Sequence, residues 1–202
     1  MVLSILKKAM RKAFKVLYWS HDEEIGVMNL DKYEPIKAGY NKALHCRKLM
    51  MEDIELIEKR FGKTVSKKFA ARMENSTGYL IFHRDEIAGY VWSSTSLCKN
   101  EGVKPFLYDI RPKKDSVYLY DIFILPGKRK TQAGIFLSNY QLLIHKEAGF
   151  KMAFTTYGKK HLAMNWISRR LGGEVVGRMT YRRYLWHVIK DTSDLDKVCE
   201  SS

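Results

Sequence analysis

Residues 117–134 read Val-Tyr-Leu-Tyr-Asp-Ile-Phe-Ile-Leu-Pro-Gly-Lys-Arg-Lys-Thr-Gln-Ala-Gly. From Val117 to Leu125 every residue except Asp121 is apolar or aromatic, and such a run favours an extended strand. Pro126 and Gly127 end it, Lys128, Arg129 and Lys130 make a basic turn, and a helix begins at once. The apolar stripe of that helix is Ala133, Phe136, Leu137, Tyr140, Leu143, Ile144 and Ala148, at spacings of three and four. A helix that starts directly after a basic turn presents unpaired backbone N–H groups and the positive end of its dipole. That is a place for phosphate or pyrophosphate. The plainer reading is a strand-turn-helix corner with solvated lysines, because the turn has neither the lysine-serine pair of a phosphate loop nor a full glycine triplet.

Regular patterns continue on both sides. Upstream, a short strand is predicted over 44–48 and a helix over 51–61, with Ile54, Ile57 and Phe61 on one face and Gly62 at its end. A second helix spans 65–75, and a hairpin follows over 79–82 and 87–93, turning at Arg84-Asp85-Glu86. Residues 98–115 carry Gly102, Pro105 and Pro112 and read as a loop or lateral excursion. Downstream of the helix over 131–148, a strand is predicted at 151–156. A helix follows at 161–171, closed by Gly172-Gly173, and then one or two strands over 174–189. Strands separated by helices imply an α/β fold, a mixed α+β arrangement whose central strands are parallel.

The first residues differ in character. Residues 2–18 form a basic amphipathic pattern, with Leu3, Leu6, Met10, Phe14 and Leu17 on one stripe and five cations elsewhere. Contact with a membrane surface is one reading. Packing of the stripe onto the domain, or onto a second subunit in a homodimer, is the other. The expected organisation is thus 1–43 as amphipathic helix and a connecting segment with room for one short strand over 19–43, 44–190 as the folded domain, and 191–202 as a polar tail.

The 202-residue chain is 46% hydrophobic, enough for one core. No apolar run approaches the roughly 18–20 residues of a membrane span, and lysines interrupt any secretory leader. Three widely spaced cysteines in no metal-ligand pattern point to a reducing, cytoplasmic setting, at most peripheral to the inner face of a membrane. A formal charge of +14 attracts polyanions. Zinc-finger and helix-turn-helix signatures are missing, and no Gly-x-Ser-x-Gly elbow supports a serine hydrolase.

The segment around Pro126 resembles the coenzyme A signature of the GNAT superfamily of N-acetyltransferases. In that signature a strand ends in a hydrophobic-x-Pro step, followed by Arg/Gln-x-x-Gly-x-Gly/Ala and a helix. Pro126, Arg129, Gln132 and Gly134 stand at those places, with Gln132 where the middle glycine is usual. The predicted order of strands and helices over about residues 44–188 also follows the family, including the glycine step Ile87-Ala88-Gly89-Tyr90-Val91.

The resemblance implies a central twisted mixed sheet flanked by helices, acetyl-CoA as cofactor, and direct acyl transfer to a primary amine. It implies that the backbone of Phe123, Ile124 and Leu125 holds the pantetheine arm. The turn and first helical amides would hold the pyrophosphate, with Lys128, Arg129, Lys130, Gln132, Ala133, Gly134 and Ile135 taking part. Asp121, the one carboxylate inside an apolar strand, becomes the candidate general base; a structural aspartate paired with a lysine or with backbone donors is its alternative. For the general acid the family's usual tyrosine place falls on Ser168. His161 and Tyr157 are substitutes, and Asn165 is a further pantetheine contact. Trp92 and Tyr120 are candidates for an acceptor cleft. No metal is implied. The acceptor is a small molecule or sugar-type amine, and the basic surface favours an acidic one. A GNAT-like fold without catalysis and a basic nucleic-acid-binding protein are the competing functions, the latter not expected.

Overall fold

The computed structural model describes residues 18–36, 42–100, 108–184 and 187–200. Strand β7 (Ser116–Ile124), a 3-10 turn (Pro126–Thr131) and helix α3 (Ala133–Glu147) reproduce the predicted corner at its centre. Before it come strands β1 (Tyr18–Asn29), β2 (Leu44–Lys48), β3 (Thr77–His83), β4 (Glu86–Ser94), β5 (Cys98–Asn100) and β6 (Tyr108–Ile110), with helices α1 (Ile54–Phe61) and α2 (Lys63–Arg72) between β2 and β3. After it come β8 (Met152–Gly158), α4 (Leu162–Arg170), β9 (Glu174–Tyr184) and β10 (His187–Asp191).

Eight strands form one mixed sheet in the order β10-β9-β1-β8-β7-β4-β3-β2, and β5 and β6 make a separate ribbon inside the predicted excursion. Every pairing in the large sheet is antiparallel except β7 with β8, which pair in parallel from Ser116↔Met152 to Leu119↔Thr155. Among the described residues no helix is long and apolar enough to cross a membrane.

Two expectations at the chain ends are corrected. The predicted helix over 2–18 lies outside the described residues apart from Tyr18, which already belongs to β1. Residues 18–29 are more than a connecting segment with one short strand. They form a 12-residue strand that pairs with β8 from Glu23↔Gly158 to Asn29↔Met152, and with β9 from Tyr18↔Tyr184 to Val27↔Glu174. The sheet therefore starts before residue 44, and β9 and β10 join it only through β1. The polar tail also packs: a 3-10 turn (Ser193–Lys197) buries Leu195, and Val198 and Cys199 are buried with Ile25, Tyr118, Phe154 and Tyr181.

Helix α3 covers the other face. Ala133 and Leu137 pack on Tyr79, Ile81, Ala88 and Val91, while Ile135 and Leu142 pack on Val117, Leu119 and Ala153. The helix thus buries a wider arc than its predicted stripe, because it sits over two adjoining cores. Fully buried residues such as Leu137 contribute about 2–5 kcal/mol each against truncation to alanine.

A bulge in β7 positions the site. Tyr90 pairs with Phe123 but Trp92 pairs with Tyr120, so Val91 faces both Asp121 and Ile122. Asp121 takes the extra place with φ +49°. The side-chain alternation changes phase there: Leu119 and then Ile122 and Ile124 point to the α3 face. Opposite, Gly89 must lack a side chain, because a Cβ would lie 2.2 Å from the Phe123 carbonyl oxygen.

Candidate functional site

Beyond Leu119 and Thr155 the two parallel strands no longer pair. The bulged β7 stays with β4 as far as Ile124, while β8 stays with β1. The divergence opens an inner cavity of about 310 Å³ that reaches His21, Glu23, Tyr120, Asp121, Tyr157 and Ser168. An outer cavity of about 310 Å³ lies along Phe123, Ile124, Arg129 and Gly134. Ile122, His161, Met164 and Ile167 line both, so the two form one passage leading from the start of α3 to the sheet interior.

At the outer end the helical ladder of α3 begins with Phe136 N–H donating to Gln132 C=O at 3.1 Å. The N–H groups of Ala133, Gly134 and Ile135 precede it. Gln132 is left-handed at φ +66°, the backbone state the missing glycine would have adopted freely. Gly134 faces α4: a Cβ there would lie 3.3 Å from Ile167 Cδ1, so the glycine keeps the passage open. Of the three basic turn residues Arg129 lines the outer cavity, its Nε donating to Ile124 C=O at 3.2 Å. Lys128 instead turns to the hairpin, with Nζ 2.9 Å from Glu86 and 3.4 Å from His83 Nδ1. Lys130 is exposed. Phe123 and Ile124 line the outer cavity, whereas Leu125 donates its N–H to Ala88 C=O at 2.9 Å.

At the inner end Asp121 reaches the cavity wall, but its carboxylate is bonded to Arg72. The partner is an arginine and not the lysine or backbone donors of the structural reading, and the bulge leaves Asp121 at an exposed place on the strand. Ser168 is buried against Gly26 and Gly173, and its hydroxyl and that of Tyr157 both lie beside Gly26. Burial pushes the Tyr157 hydroxyl pKa up, and the neighbouring Ser168 draws it down less strongly. His161 caps α4: its Nδ1 accepts the Met164 N–H at 3.2 Å, which places the neutral ring's proton on Nε2. Asn165 does not reach the passage. It donates to Lys159 C=O at 3.1 Å and lines a separate groove on the outside of α4. Tyr120 lines the inner cavity, while Trp92 is wholly buried in the core beneath α2.

The passage also holds two residues outside the predicted set. Glu23 on β1 is 5% exposed, and His21 Nε2 lies 3.4 Å from its Oε1. Both line the inner cavity. The signal in the sequence is the alternation His21, Glu23, Ile25 within Tyr18-Trp-Ser-His-Asp-Glu-Glu-Ile-Gly-Val-Met28, which places these three on one face of a strand. Among the described residues no cluster of His, Cys, Asp and Glu is arranged to hold a metal ion.

No protein-family model matches the sequence, and no curated protein matches it. Solved structures do. A GCN5-related N-acetyltransferase from Sphaerobacter thermophilus superposes with a TM-score of 0.60 at 13% identity, over 89% of this chain and 56% of its own. For a GCN5-related N-acetyltransferase from Kribbella flavida the TM-score is 0.53 at 12% identity, over 82% and 58%. A tandem GNAT protein from the clavulanic acid biosynthesis pathway gives 0.56 at 13%, over 82% and 54%. The chain therefore spans little more than half the length of these proteins. At such identities the likeness establishes the fold: a mixed sheet flanked by helices in the GCN5-related N-acetyltransferase arrangement.

Proposed function

We propose that this chain is a coenzyme A-dependent N-acyltransferase that passes an acyl group, acetyl in the simplest case, to a primary amine while both substrates are held together. The observation that carries this reading is the passage opened where β7 and β8 part after Leu119 and Thr155. It joins a helix N-terminus to a cavity within the sheet.

The residues present fit coenzyme A. The amides of Ala133, Gly134 and Ile135 and the Arg129 guanidinium suit a pyrophosphate. The room left by Gly134, and a β7 edge with no β8 partner beyond Leu119, suit an extended amide-bearing arm. Bound acetyl-CoA supplies the acyl group as a thioester, so that one C–S bond is exchanged for one C–N bond.

Tyr157 is the proton donor in this reading. Its raised pKa keeps the hydroxyl protonated at neutral pH, and Ser168 lies beside it. His161 stands at the junction of the two cavities. Direct transfer is favoured over an acyl-enzyme. Cys46, Cys98 and Cys199 line neither cavity, and burial pushes their thiols up to about 12, 11 and 11 respectively.

A thermal-shift titration with coenzyme A, acetyl-CoA and a phosphate-matched nucleotide tests the reading. A ligand at a hundred times its dissociation constant adds about 2.7 kcal/mol. A shift given by both coenzyme A ligands and not by the nucleotide is expected. Equal shifts from all three, or none, would overturn it.

A further inference from the structure

The sheet divides the inner cavity into two unlike parts. His21, Glu23, Tyr120 and Thr156 line it on the face shared by Ile25, Tyr118 and Phe154, and make a polar wall. On the opposite face, the one α3 and α4 cover, Met28, Leu119, Leu142 and Leu171 make the wall, and all four are buried members of the core beneath α3. Helix α3 brings Gly134, Ser138 and Leu142 to this side at intervals of four residues. Gly134 lines the outer cavity, and Ser138 and Leu142 line the inner one. One helix face therefore accompanies the passage from the start of α3 to the core. Its neighbour Gln141 commits its amide elsewhere, Nε2 donating to Trp92 C=O at 3.1 Å.

The cavity is larger than an acetyl group can use. An apolar cavity of about 150 Å³ takes benzene, whereas the inner cavity measures about 310 Å³. An acyl tail of about six carbons therefore fits, with space left for the reacting nitrogen. Unfilled apolar space of this size is rare in a folded interior and costs stability. Ser138, the short side chain in the middle of the helix face, keeps the space open.

We propose that the acyl donor is a medium-chain acyl-coenzyme A, with a tail of about six carbons that runs past Ser138 and ends against Leu142 and Leu171. This rests on the acyltransferase reading and selects among its acyl donors. An arm along the free edge of β7 brings the thioester to the point where β7 and β8 part. The α3 side then takes the tail and leaves the polar face for the acceptor. The transfer balances: the C–S bond breaks, a C–N bond forms at the same carbonyl carbon, and one hydrogen of the amine ends on sulfur. Each methylene buried in the apolar part raises affinity for the donor by about fourfold.

The test titrates the full chain by calorimetry with coenzyme A and with its acetyl, hexanoyl and dodecanoyl thioesters. Hexanoyl-coenzyme A is expected to bind at least about tenfold more tightly than acetyl-coenzyme A. Dodecanoyl-coenzyme A, whose tail is longer than the space, should bind no more tightly than the hexanoyl thioester. In Ser138→Leu, which fills the middle of the tail's path, the preference for hexanoyl over acetyl should fall to about threefold or less. Equal or weaker binding of the hexanoyl thioester in wild type would overturn the proposal. So would an affinity that keeps rising to the dodecanoyl thioester, or a preference of about tenfold retained in Ser138→Leu. Binding of coenzyme A and acetyl-coenzyme A to the wild type would in each case leave the acyltransferase reading standing. Binding of no ligand in the series would remove that reading and the proposal with it. Should Ser138→Leu not fold, Ser138→Val takes its place, and a wild-type preference in that variant would count against the proposal.

Discussion

Arg72 on α2 is bonded to Asp121 at the bulge of β7, so the helix layer is clamped to the strand that forms one wall of the passage. The guanidinium carbon lies 5.6 Å from the centre of the Trp92 ring and 5.3 Å from that of Tyr120. Arginine side chains stacked in this way add cation–π attraction to the ion pair.

The clamp predicts a measurable coupling. Asp121→Asn keeps a residue that tolerates the left-handed backbone but removes the charge, and Arg72→Met removes the partner while retaining bulk. In a double-mutant cycle followed by urea unfolding, the two changes should couple by about 1 kcal/mol. Strictly additive effects would mean that the pair is a geometric coincidence without energetic weight.

Gln132 predicts a gain of stability. A non-glycine residue in the left-handed region costs roughly 1–2 kcal/mol, and Gln132 sits there at φ +66° without a side-chain cap bond. Gln132→Gly should relieve most of that strain and lose part of it again to unfolded-state entropy, leaving a net gain of about 0.5–1 kcal/mol. Chemical denaturation checks the sign. A loss of stability would show that the Gln132 side chain makes a compensating contact.

The β7–turn–α3 corner, the hairpin of β3 and β4, and α4 with its glycine cap were legible because their signals are local: periodicity, breakers and caps within a few residues. Strand β1 was not, because its partners lie more than a hundred residues downstream and its middle is Asp22-Glu23-Glu24. Acidic residues are depleted from strands, so the segment read as a connector; one of them is acidic because it faces a cavity. The phase change at Asp121 was equally hidden, since a bulge leaves no mark on residue type when the flanking residues are apolar on both sides. At the site, Tyr157 and Ser168 were named separately, but only the folded arrangement brings both beside Gly26. The terminal turn was lost among Ser193, Asp194, Asp196 and Lys197, although Leu195, Val198 and Cys199 carry its core contacts.

The proximity of Tyr157 and Ser168 separates two effects on turnover. Tyr157→Phe removes the hydroxyl that would protonate the leaving sulfur and should lower the rate of thiol release with acetyl-CoA and tyramine by about 10²-fold or more. Ser168→Ala removes only a neighbouring hydroxyl and should cost about tenfold or less. Coenzyme A thermal shifts should be unchanged in both. A Tyr157→Phe variant with wild-type turnover would take the tyrosine out of the mechanism.

His145 predicts how stability depends on pH. The ring is 6% exposed on α3, between Tyr79 and Phe150, and its Nε2 has no hydrogen-bond partner. Burial disfavours the charged form and lowers its pKa from 6.5 to about 4. In the unfolded chain the same group binds a proton near pH 6.5, so between pH 6.5 and 4 the unfolded state holds more protons and acid favours unfolding. Stability contributed by the neutral ring is complete above pH 6.5 and is lost as the pH falls towards 4. A gap of that size is worth roughly 2–3 kcal/mol by pH 4.5. His145→Leu, similar in volume and unable to titrate, should therefore lose roughly 2–3 kcal/mol less than the wild type between pH 7 and pH 4.5 in urea unfolding. Parallel losses in the two proteins would place the acid sensitivity in other groups.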